Sequence, residues 1–547
     1  MTDLADRVRA WIDDDPDPAS QAELRSLLAA QALSELEDRF SGQLTFGTAG
    51  LRGPLRAGPN GMNLAVVRQA AAGLSAWVSA RAPGSLIVIG YDARRGSHEF
   101  AQETARVATG AGLRAAVLPR PLPTPVLAFA VRHLNAAAGV MVTASHNPPQ
   151  DNGYKVYLGA ELGGPLGAGA QIVPPVDAEI EALIRSVGPL SKVPLGSVGD
   201  LLDESIVSSY VDAAANVVDP DEPKELAIAY TPLHGVGAQV LKAAFVRAGF
   251  AEPVVVAAQA EPDPAFPTVA FPNPEEPGAM DLVIALASST GADLVIANDP
   301  DADRCAVAIP HGSGWRVMRG DEVGVLLADH LMRCGVSGTY ATTIVSSSLL
   351  RALCQERGQG YGETLTGFKW IVRAAENLVY GYEEALGYCA APQMVRDKDG
   401  ITAALLVAEL AAGLKSQLQS LQDRLDEIAL AHGVYLTDQL SVRVDDLSEI
   451  TDAMARLRAK IPASLLDEPV TAVEDLLPEA DVVTLRTQSA RVVVRPSGTE
   501  PKLKAYLEVV EPVVDDDVAA ARERAAATIV ALRTETAAAL GIWSVSP

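Results

Sequence analysis

A serine, a histidine and a lysine are concentrated in residues 143–155, which have the sequence TASHNPPQDNGYK. The apolar run of residues 136–142 before them is typical of a buried strand in a parallel sheet. Open α/β sheets bind ligands beyond the carboxyl ends of such strands. Pro148 and Pro149 stiffen the loop, and Gly153 allows a sharp turn. The pattern predicts that the Ser145 hydroxyl lies on rigid backbone beside His146 and Lys155, although the loop alone leaves many chemistries open.

Three carboxylates at alternate positions follow a second apolar run: Asp299, Asp301 and Asp303. Carboxylates this close repel one another, and a divalent cation with oxygen ligands offsets that cost. An EF-hand is excluded because its sixth position, which needs glycine, is Arg304, and its twelfth is Pro310. Phosphatases of the haloacid-dehalogenase type use DxDx[TV], whose last position is Asp303 here. The loop predicts a metal site with coordination positions open to a phosphoryl oxygen.

Two further loops offer groups suited to a phosphorylated sugar. Glu383 and Glu384 lie among glycines and aromatic residues, a setting in which carboxylates accept hydrogen bonds from vicinal hydroxyls. After a β-like run, residues 495–502 combine an arginine, two hydroxyls and a glycine turn, which is typical of a small anion site. The candidate phosphate ligands are Arg495, Ser497, Gly498, Thr499 and Lys502.

Two shorter segments fit the same pattern of polar loops beside apolar runs. Thr366 and Gly367 precede Lys369, which lies next to an apolar wall. Residues 231–237 (TPLHGVG) contain a weak GxG turn, which we interpret as a strand-to-helix corner. The sequence contains neither a Walker P-loop nor a full GxGxxG, so nucleotide binding loses support.

Composition narrows the class of protein. A chain of 547 residues is too long for one hydrophobic core, and three or four domains are expected. The net charge of −25 argues against nucleic acid or an anionic membrane as partner. No apolar stretch reaches the roughly 18 residues of a membrane span. With no signal peptide and no CxxC pair, the four cysteines predict reduced thiols in a cytoplasmic protein.

Hydrophobic periodicity predicts an α/β protein of five segments. The first is a helical extension, with Ser20 as N-cap and Leu33 and Leu36 on the apolar face of one helix. Three units of alternating strands and helices follow, each predicting a mostly parallel sheet with helices on both faces. The last segment is α+β. We expect the glycine-rich residues 158–170 to form a surface loop. The predicted boundaries are 1–40, 41–204, 205–312, 313–432 and 433–547.

In chain order, the motifs TASHNPPQDNGYK, NDPDADR, TGFKW, YEEALGY and RPSGTEPKLKAY resemble those of the α-D-phosphohexomutase family, which includes phosphoglucomutases and phosphomannomutases. The resemblance extends from about Thr45 to the C-terminal segment. FGTAGLRG, GFKW and EEALGY are most similar to the branch of phosphoglucomutase-2-type and phosphopentomutase-like enzymes. The resemblance implies four domains around a central cleft, three of them mixed α/β sandwiches and the last a smaller α+β domain.

The resemblance also implies a role for each matching residue. Ser145 would carry the transferred phosphoryl group and, with the three aspartates, hold one Mg²⁺. Lys155 and Lys369 would shuttle protons at the sugar hydroxyl. The groups implied at the reacting centre are Ser145, His146, Lys155, Arg52, Arg304 and Lys369. Those implied to bind the sugar phosphate are Thr366, Gly367, Glu383, Glu384, Arg495, Ser497, Gly498, Thr499 and Lys502.

The implied reaction moves a phosphoryl group between O1 and O6 of an aldohexose through phosphoserine and a hexose 1,6-bisphosphate, which is also the activator. Glucose phosphates are the first candidate substrate and mannose phosphates the second. The alternatives are a phosphopentomutase acting on ribose phosphates and a metal-dependent sugar phosphatase. Ala385 stands where many relatives have serine, and the missing hydroxyl contact is worth about 0.5–1.5 kcal/mol. Pentose phosphates therefore stay open, as does a monomer or a dimer.

Overall fold

The computed structural model describes residues 2–47, 49–444, 446–497 and 502–541. Within them the chain has the expected α/β fold, with a helical extension, three domains built on mixed sheets and a C-terminal domain built on an antiparallel sheet. In each mixed sheet the parallel strands occupy the centre and extend to one edge. The antiparallel pairings lie toward the opposite edge.

The N-terminal extension consists of three helices: α1 (Thr2–Asp14), α2 (Pro18–Ala29) and α3 (Leu33–Arg39). The Asp17 side chain caps α2 by accepting a hydrogen bond from the Ala19 amide. The prediction of Ser20 as N-cap was therefore wrong, because the aspartate three residues earlier takes that position. The single predicted helix is also divided, since α2 ends at Ala29. Leu36 is buried on α3, but Leu33 is 42% exposed.

The first domain contains a six-stranded sheet. Its strands are β1 (Leu51–Pro54), β2 (Leu86–Tyr91), β3 (Arg114–Val117), β4 (Ala138–Val142), β5 (Asp151–Leu158) and β6 (Asp200–Leu201). Its helices are α4 (Leu64–Ser79), α5 (Ser97–Gly110), α6 (Thr124–His133), α7 (Ala160–Gly167) and α8 (Val176–Arg185), with a 3₁₀ turn at Leu190–Lys192. The strand order is β1-β5-β4-β2-β3-β6, and β5 runs antiparallel to both of its neighbours. The β4–β5 hairpin carries the Ser145 loop.

The second domain contains a five-stranded sheet in the order β11-β10-β9-β7-β8. The strands are β7 (Ile228–Thr231), β8 (Val254–Val255), β9 (Leu294–Ala297), β10 (Ala306–His311) and β11 (Gly314–Val317). The helices are α9 (Ser205–Ala215), α10 (Gly237–Arg247) and α11 (Asp281–Thr290), with a 3₁₀ turn at Ala257–Gln259. β7 is parallel to β8 and β9, whereas β10 is antiparallel to β9. The aspartate loop connects β9 to β10.

The third domain contains a four-stranded sheet in the order β13-β12-β14-β15. The strands are β12 (Thr339–Thr343), β13 (Gly360–Thr364), β14 (Leu378–Glu383) and β15 (Gly387–Cys389). The helices are α12 (Gly320–Arg333), α13 (Leu349–Arg357), α14 (Phe368–Ile371), α15 (Gly400–Ser416) and α16 (Leu421–His432). The tight β14–β15 hairpin holds the paired glutamates.

The C-terminal domain has an antiparallel sheet in the order β16-β22-β21-β20-β19 and a separate β17–β18 pair. The strands are β16 (Val434–Arg443), β17 (Ser464–Leu465), β18 (Glu468–Pro469), β19 (Ala472–Asp475), β20 (Val483–Arg486), β21 (Ala490–Pro496) and β22 (Lys502–Glu511). The helices are α17 (Leu447–Ala459) and α18 (Val518–Leu540). The α+β prediction for this segment is thus confirmed.

One hydrophobic core runs through the first three domains. It contains Tyr157 of the first domain, Tyr230 of the second and Tyr380 of the third, all fully buried. The C-terminal domain has its own core between its sheet and helices. Apolar burial therefore joins the first three domains, and the fourth has a core of its own and meets the third through a smaller apolar cluster of Val345 with Val482, Val493 and Tyr506.

Residues 158–170 do not form the surface loop that we expected. They contain α7, which is bent at Gly164, where φ is +65°. The Arg132 guanidinium donates to the Ala168 carbonyl at 2.6 Å, and Arg396 of the third domain donates to the Pro165 carbonyl at 2.9 Å. A broken helix leaves carbonyls without helical partners, and arginines from two domains supply the missing donors.

Among the described residues, no single helix is long and apolar enough to cross a membrane. Helices α15 and α16 reach the length and apolar composition of a membrane span only when they are taken together, and they are bent by 88° relative to each other. Most of α15 is buried in the protein core.

Candidate active site

Ser145 lies in the loop between β4 and β5 and is 3% exposed. Its backbone is left-handed, with φ of +51°, and its amide donates to the Thr143 hydroxyl at 2.9 Å. The Ser145 Oγ donates to Asp299 Oδ2 at 2.7 Å and lies 3.1 Å from His146 Nδ1. The fold thus brings the serine of the first domain to the aspartate loop of the second.

The three aspartates are fully buried, and oxygens of Asp299, Asp301 and Asp303 all lie within 4.8 Å of one another. Burial and the two neighbouring carboxylates raise the pKa of Asp299 well above its ordinary value. Burial acts in the same direction on Asp301, but the adjacent Lys155 ammonium outweighs it and holds that pKa below its ordinary value.

The same aspartates fit a metal ion. Asp301 Oδ1 and Asp303 Oδ1 are buried without a hydrogen-bond partner in the described part of the chain. Buried polar atoms are rarely left unsatisfied, and a hard divalent cation takes carboxylate oxygens as ligands. The buried group of three acids can therefore bind a metal ion, as the resemblance implies.

Two lysines neutralise the aspartates. Lys155 Nζ donates to Asp301 Oδ2 at 2.8 Å and to Asp303 Oδ2 at 3.0 Å. Lys398 Nζ lies 3.4 Å from Asp303 Oδ2. Burial disfavours the charge on each lysine, but the carboxylates outweigh it and raise both pKa values. Both side chains are therefore cations at neutral pH.

Sequence reasoning missed Lys398 and Thr124. Lys398 lies in the loop before α15, and the next residue, Asp399, caps that helix. An aspartate before an apolar run indicates a helix start, so the sequence did contain a signal for another polar loop at this position. Thr124 donates through its hydroxyl to Asp301 Oδ2 at 2.6 Å and through its amide to the Asp301 carbonyl at 2.9 Å. Nothing in the sequence near Thr124 indicates this contact, which depends on the docking of two domains.

Two arginines complete the reacting centre. Arg52 donates to Asn147 Oδ1 at 3.4 Å, and Arg304 donates to Glu275 Oε2 at 3.1 Å. The Nε atoms of both arginines are buried and have no hydrogen-bond partner within the described ranges. Burial, Arg304 and Arg52 lower the pKa of His146 well below its ordinary value, so its imidazole is neutral. Unused guanidinium donors beside a buried serine suit a bound anion.

The paired glutamates differ in their surroundings. Burial raises the pKa of Glu383, and the cations that oppose this shift are Lys398 and Arg304 of the reacting centre. Burial also raises the pKa of Glu384, to about 7. The Glu384 carboxylate accepts hydrogen bonds from Ser346 Oγ at 3.1 Å and Thr343 Oγ1 at 3.4 Å. Glu383 therefore faces the charges around Ser145, and Glu384 is held within the third domain.

Thr366, Gly367 and Lys369 lie where β13 leads into α14. Gly367 has a φ of +111°, a conformation that side chains disfavour. Burial lowers the pKa of Lys369 to about 8; the Asp177 carboxylate opposes this shift, and nearby cations, including Arg495, add to it. Lys369 therefore lies near the C-terminal domain.

The candidate phosphate loop connects β21 to β22. Arg495 on β21 lies opposite Lys504 on β22 in the strand register. The Ser497 amide donates to the Lys502 carbonyl at 2.8 Å. Gly498 and Thr499 lie outside the described residues. Burial raises the pKa of Tyr506, and nearby Glu384 raises it further. The described part of this hairpin thus faces the glutamate loop.

The chain matches the sequence models of all four domains of the phosphoglucomutase/phosphomannomutase family. The matched residues are 43–189 for alpha/beta/alpha domain I, 208–312 for domain II, 319–429 for domain III and 440–525 for the C-terminal domain. A probable phosphomannomutase from Haemophilus influenzae is 44% identical, over 82% of this chain and 93% of its own length. A Mus musculus phosphopentomutase is 33% identical, over 93% of this chain and 90% of its own.

The fold agrees with these sequence matches. A crystal structure of a Thermus thermophilus protein assigned as a phosphomannomutase covers 89% of this chain and 99% of its own, with a TM-score of 0.70 and 27% identity. These matches confirm the resemblance found in the motifs and show an enzyme of the phosphotransferase and mutase type. The chain belongs to the phosphoglucomutase/phosphomannomutase family.

Proposed function

We propose that this enzyme moves a phosphoryl group between O1 and O6 of an aldohexose through a phosphorylated Ser145. Glucose phosphates are the first candidate substrate and mannose phosphates the second. The observation that carries the proposal is the 2.7 Å contact between Ser145 Oγ and Asp299, which joins the nucleophile of one domain to the acidic loop of another. Phosphoryl transfer needs mainly positioning and charge neutralisation, and this arrangement suits both.

We assign Mg²⁺ to the acidic loop, held by Asp299, Asp301, Asp303 and a phosphoryl oxygen on Ser145. When bound, the ion supplies positive charge to the oxygens of the transferred group. Arg52, Lys155 and Arg304 neutralise the remaining charge. The two orphaned Nε donors support this role for the arginines.

The residues also support a route for the proton. In the forward half-reaction, the sugar hydroxyl oxygen forms a bond to phosphorus as the bond to Ser145 Oγ breaks, and the hydroxyl proton is transferred in the end to Ser145 Oγ. His146 is neutral and 3.1 Å from Ser145 Oγ, so it can exchange a proton with that oxygen. The Lys369 pKa of about 8 leaves its amine mostly protonated at neutral pH, which favours attraction of the anionic substrate over acceptance of the hydroxyl proton. Lys155 is fixed as a cation by two carboxylates, which favours electrostatic stabilisation over the proton shuttling first expected for it.

The remaining loops suit a substrate that binds in two orientations. We assign the sugar hydroxyls to Glu383, with Thr366 and Gly367 alongside. The untransferred phosphate is assigned to Arg495, Ser497, Gly498, Thr499 and Lys502. A hexose 1,6-bisphosphate carries a phosphate at either end, so the same phosphate loop can hold it before and after reorientation. This intermediate is also the proposed activator that phosphorylates Ser145.

A phosphopentomutase activity is the second candidate. Ala385 lacks the hydroxyl that many relatives place after the paired acids. One sugar contact is therefore absent, and the Mus musculus relative is a phosphopentomutase. Ribose phosphates accordingly belong in any substrate panel.

We place the enzyme in the cytoplasm. Cys305, Cys334, Cys354 and Cys389 are all unpaired. Free thiols are typical of proteins in a reducing compartment.

The test is turnover of glucose 1-phosphate, mannose 1-phosphate and ribose 1-phosphate side by side, with Mg²⁺ and a trace of glucose 1,6-bisphosphate. Isomerised product without free phosphate, lost in Ser145→Ala, supports the mutase, and the ranking of rates identifies the sugar. Free phosphate without an isomer would show that the site is a phosphatase. Undiminished turnover by a folded Ser145→Ala variant would refute the phosphoserine mechanism.

A further inference from the structure

Arg94 is buried behind the Ser145 loop and contacts much of its backbone. The side chain is 1% exposed. Its Nη2 atom donates to the carbonyls of Ser145 and Asn147, both at 2.5 Å. Its Nη1 atom donates to the carbonyls of Pro148 at 2.8 Å and Asp151 at 3.2 Å. One planar guanidinium thus spans the loop from the nucleophile to the start of β5.

The loop needs such a restraint because Ser145 has a φ of +51°. Left-handed backbone at a residue other than glycine costs free energy and persists only when the surroundings fix it. Asp92 supports the same arrangement: it accepts from Thr143 Oγ1 at 2.7 Å and lies 3.4 Å from Arg94 Nε. Thr143 in turn accepts from the Ser145 amide. Arg94 and Asp92 therefore hold Ser145 through both its carbonyl and its amide.

Arg94 also reaches the domain that carries the aspartates. Its guanidinium carbon lies 5.0 Å from the centre of the Phe266 ring in the second domain. Close by, the Val236 amide donates to the carbonyl of Pro300, inside the acidic loop, at 2.9 Å. The guanidinium therefore contacts the serine loop on one side and, through Phe266, the domain of the acidic loop on the other.

From these contacts we infer that Arg94 is a positioning residue for the phosphoryl-transfer step, which fixes the Ser145 oxygen in the left-handed loop against Asp299. The inference rests on the proposed function, because positioning matters only if Ser145 carries the phosphoryl group. Arg94 does not touch the substrate in this role. Lysine cannot replace it, since one ammonium cannot reach four carbonyls in the plane of a guanidinium fork.

The first experiment compares Arg94→Lys with wild type in the isomerase assay. A misplaced nucleophile slows the chemical step, so kcat should fall about 10- to 100-fold while KM stays within about twofold. Guanidinium ion should restore part of kcat in Arg94→Ala. The matched control is Arg68→Lys, which changes an arginine paired with Glu103 on helices α4 and α5 of the same domain. This control should keep wild-type kcat and gain nothing from guanidinium.

A second measurement does not depend on activity. Amide hydrogen exchange in residues 143–155 should be faster in Arg94→Lys than in wild type, with the rest of the first domain unchanged. Wild-type kcat in Arg94→Lys would overturn the inference. So would an equal loss of kcat in Arg68→Lys with faster exchange throughout the domain.

The two hypotheses fail in different ways. If wild type does not isomerise sugar phosphates, the proposed function is wrong and the inferred catalytic role fails with it, even if exchange shows that Arg94 orders the loop. If wild type isomerises, Ser145→Ala is inactive and Arg94→Lys is fully active, only the positioning role is wrong.

Discussion

Lys369 is an ionisable residue whose charge changes in the range where the enzyme would be assayed. Its pKa is lowered to about 8, chiefly by burial, so the side chain is cationic below that pH and neutral above it. Its neighbour Arg495 belongs to the candidate phosphate loop. An anionic substrate would therefore meet one positive charge fewer at alkaline pH.

We expect kcat/KM to fall as pH rises through about 8, because the deprotonated amine no longer attracts phosphate. Lys369→Arg should move this limb to higher pH, since guanidinium stays charged. Steady-state pH profiles at fixed Mg²⁺ measure the effect. Lys242→Arg, at a surface pair with Glu252, is the control and should leave the profile unchanged. An identical alkaline limb in Lys369→Arg would contradict the assignment.

The acidic loop yields a prediction about metal. Removal of divalent ions with a chelator should abolish turnover, and Mg²⁺ should restore it. In Asp301→Asn, the Mg²⁺ concentration that gives half-maximal activity should rise by at least about tenfold, because one charged ligand is lost. Asp293→Asn changes an acid just before β9 that pairs with Lys415 on the surface, and its Mg²⁺ requirement should match wild type. Activity that is independent of metal would reject the site.

At the scale of elements, each site loop lies where a strand ends, and a second loop supports the acidic one from behind. Residues 231–237 form the corner between β7 and α10, as the sequence predicted. Gly235 packs so closely that a Cβ atom would lie 2.3 Å from the Cα of Pro300. The acidic loop thus depends on a glycine in a different loop.

Gly235→Ala should therefore displace the acidic loop. We expect a higher Mg²⁺ requirement and a kcat that falls by at least about tenfold. Circular dichroism should show that the variant is still folded. Gly188→Ala is the matched control, because a Cβ there meets nothing within 4 Å. Equal kinetics in the two alanine variants would show that the corner does not position the acidic loop.

The sequence predicted most of this arrangement and missed what depends on docking. Apolar runs ending in polar loops are local signals, so the strands before Ser145 and Asp299 were readable. The contacts of Lys398 and Thr124 with the aspartates join residues of different domains, and no local pattern encodes them. Asp17 and Ser20 are both residue types that suit an N-cap, and the sequence analysis chose Ser20 where the structure has Asp17.

At the scale of the whole molecule, the C-terminal domain meets the third domain through a buried polar interface. Glu508 is 2% exposed and accepts from Ser347 Oγ, the Ser348 amide and Ser348 Oγ, all at 2.7 Å. Arg491 lies 3.2 Å from Glu508 and also donates to the Ser346 carbonyl. Because Ser346 donates to Glu384, this interface adjoins the sugar loop. The position of the phosphate hairpin therefore rests on these charged contacts together with an apolar cluster, in which Val345 of the third domain packs with Val493 and Tyr506.

Glu508→Gln tests that dependence. The amide keeps the size of the side chain but loses the ion pair with Arg491. Its NH₂ group would also face the serine groups that donate hydrogen bonds to the Glu508 carboxylate. Loss of a buried charged acceptor costs about 1–3 kcal/mol, which should loosen the docking of the C-terminal domain. KM for the sugar phosphate should rise several-fold more than kcat changes, because the phosphate hairpin binds substrate away from the transferred group.

The matched control is Asp475→Asn, which removes a surface ion pair with Arg458 in the same domain. Exposed pairs contribute little, so its kinetics should match wild type. Steady-state kinetics together with small-angle scattering would measure both catalysis and domain docking. A normal KM with unchanged scattering in Glu508→Gln would mean that apolar contacts and the chain connection hold the C-terminal domain in place, and that this polar interface does not set the position of the phosphate hairpin.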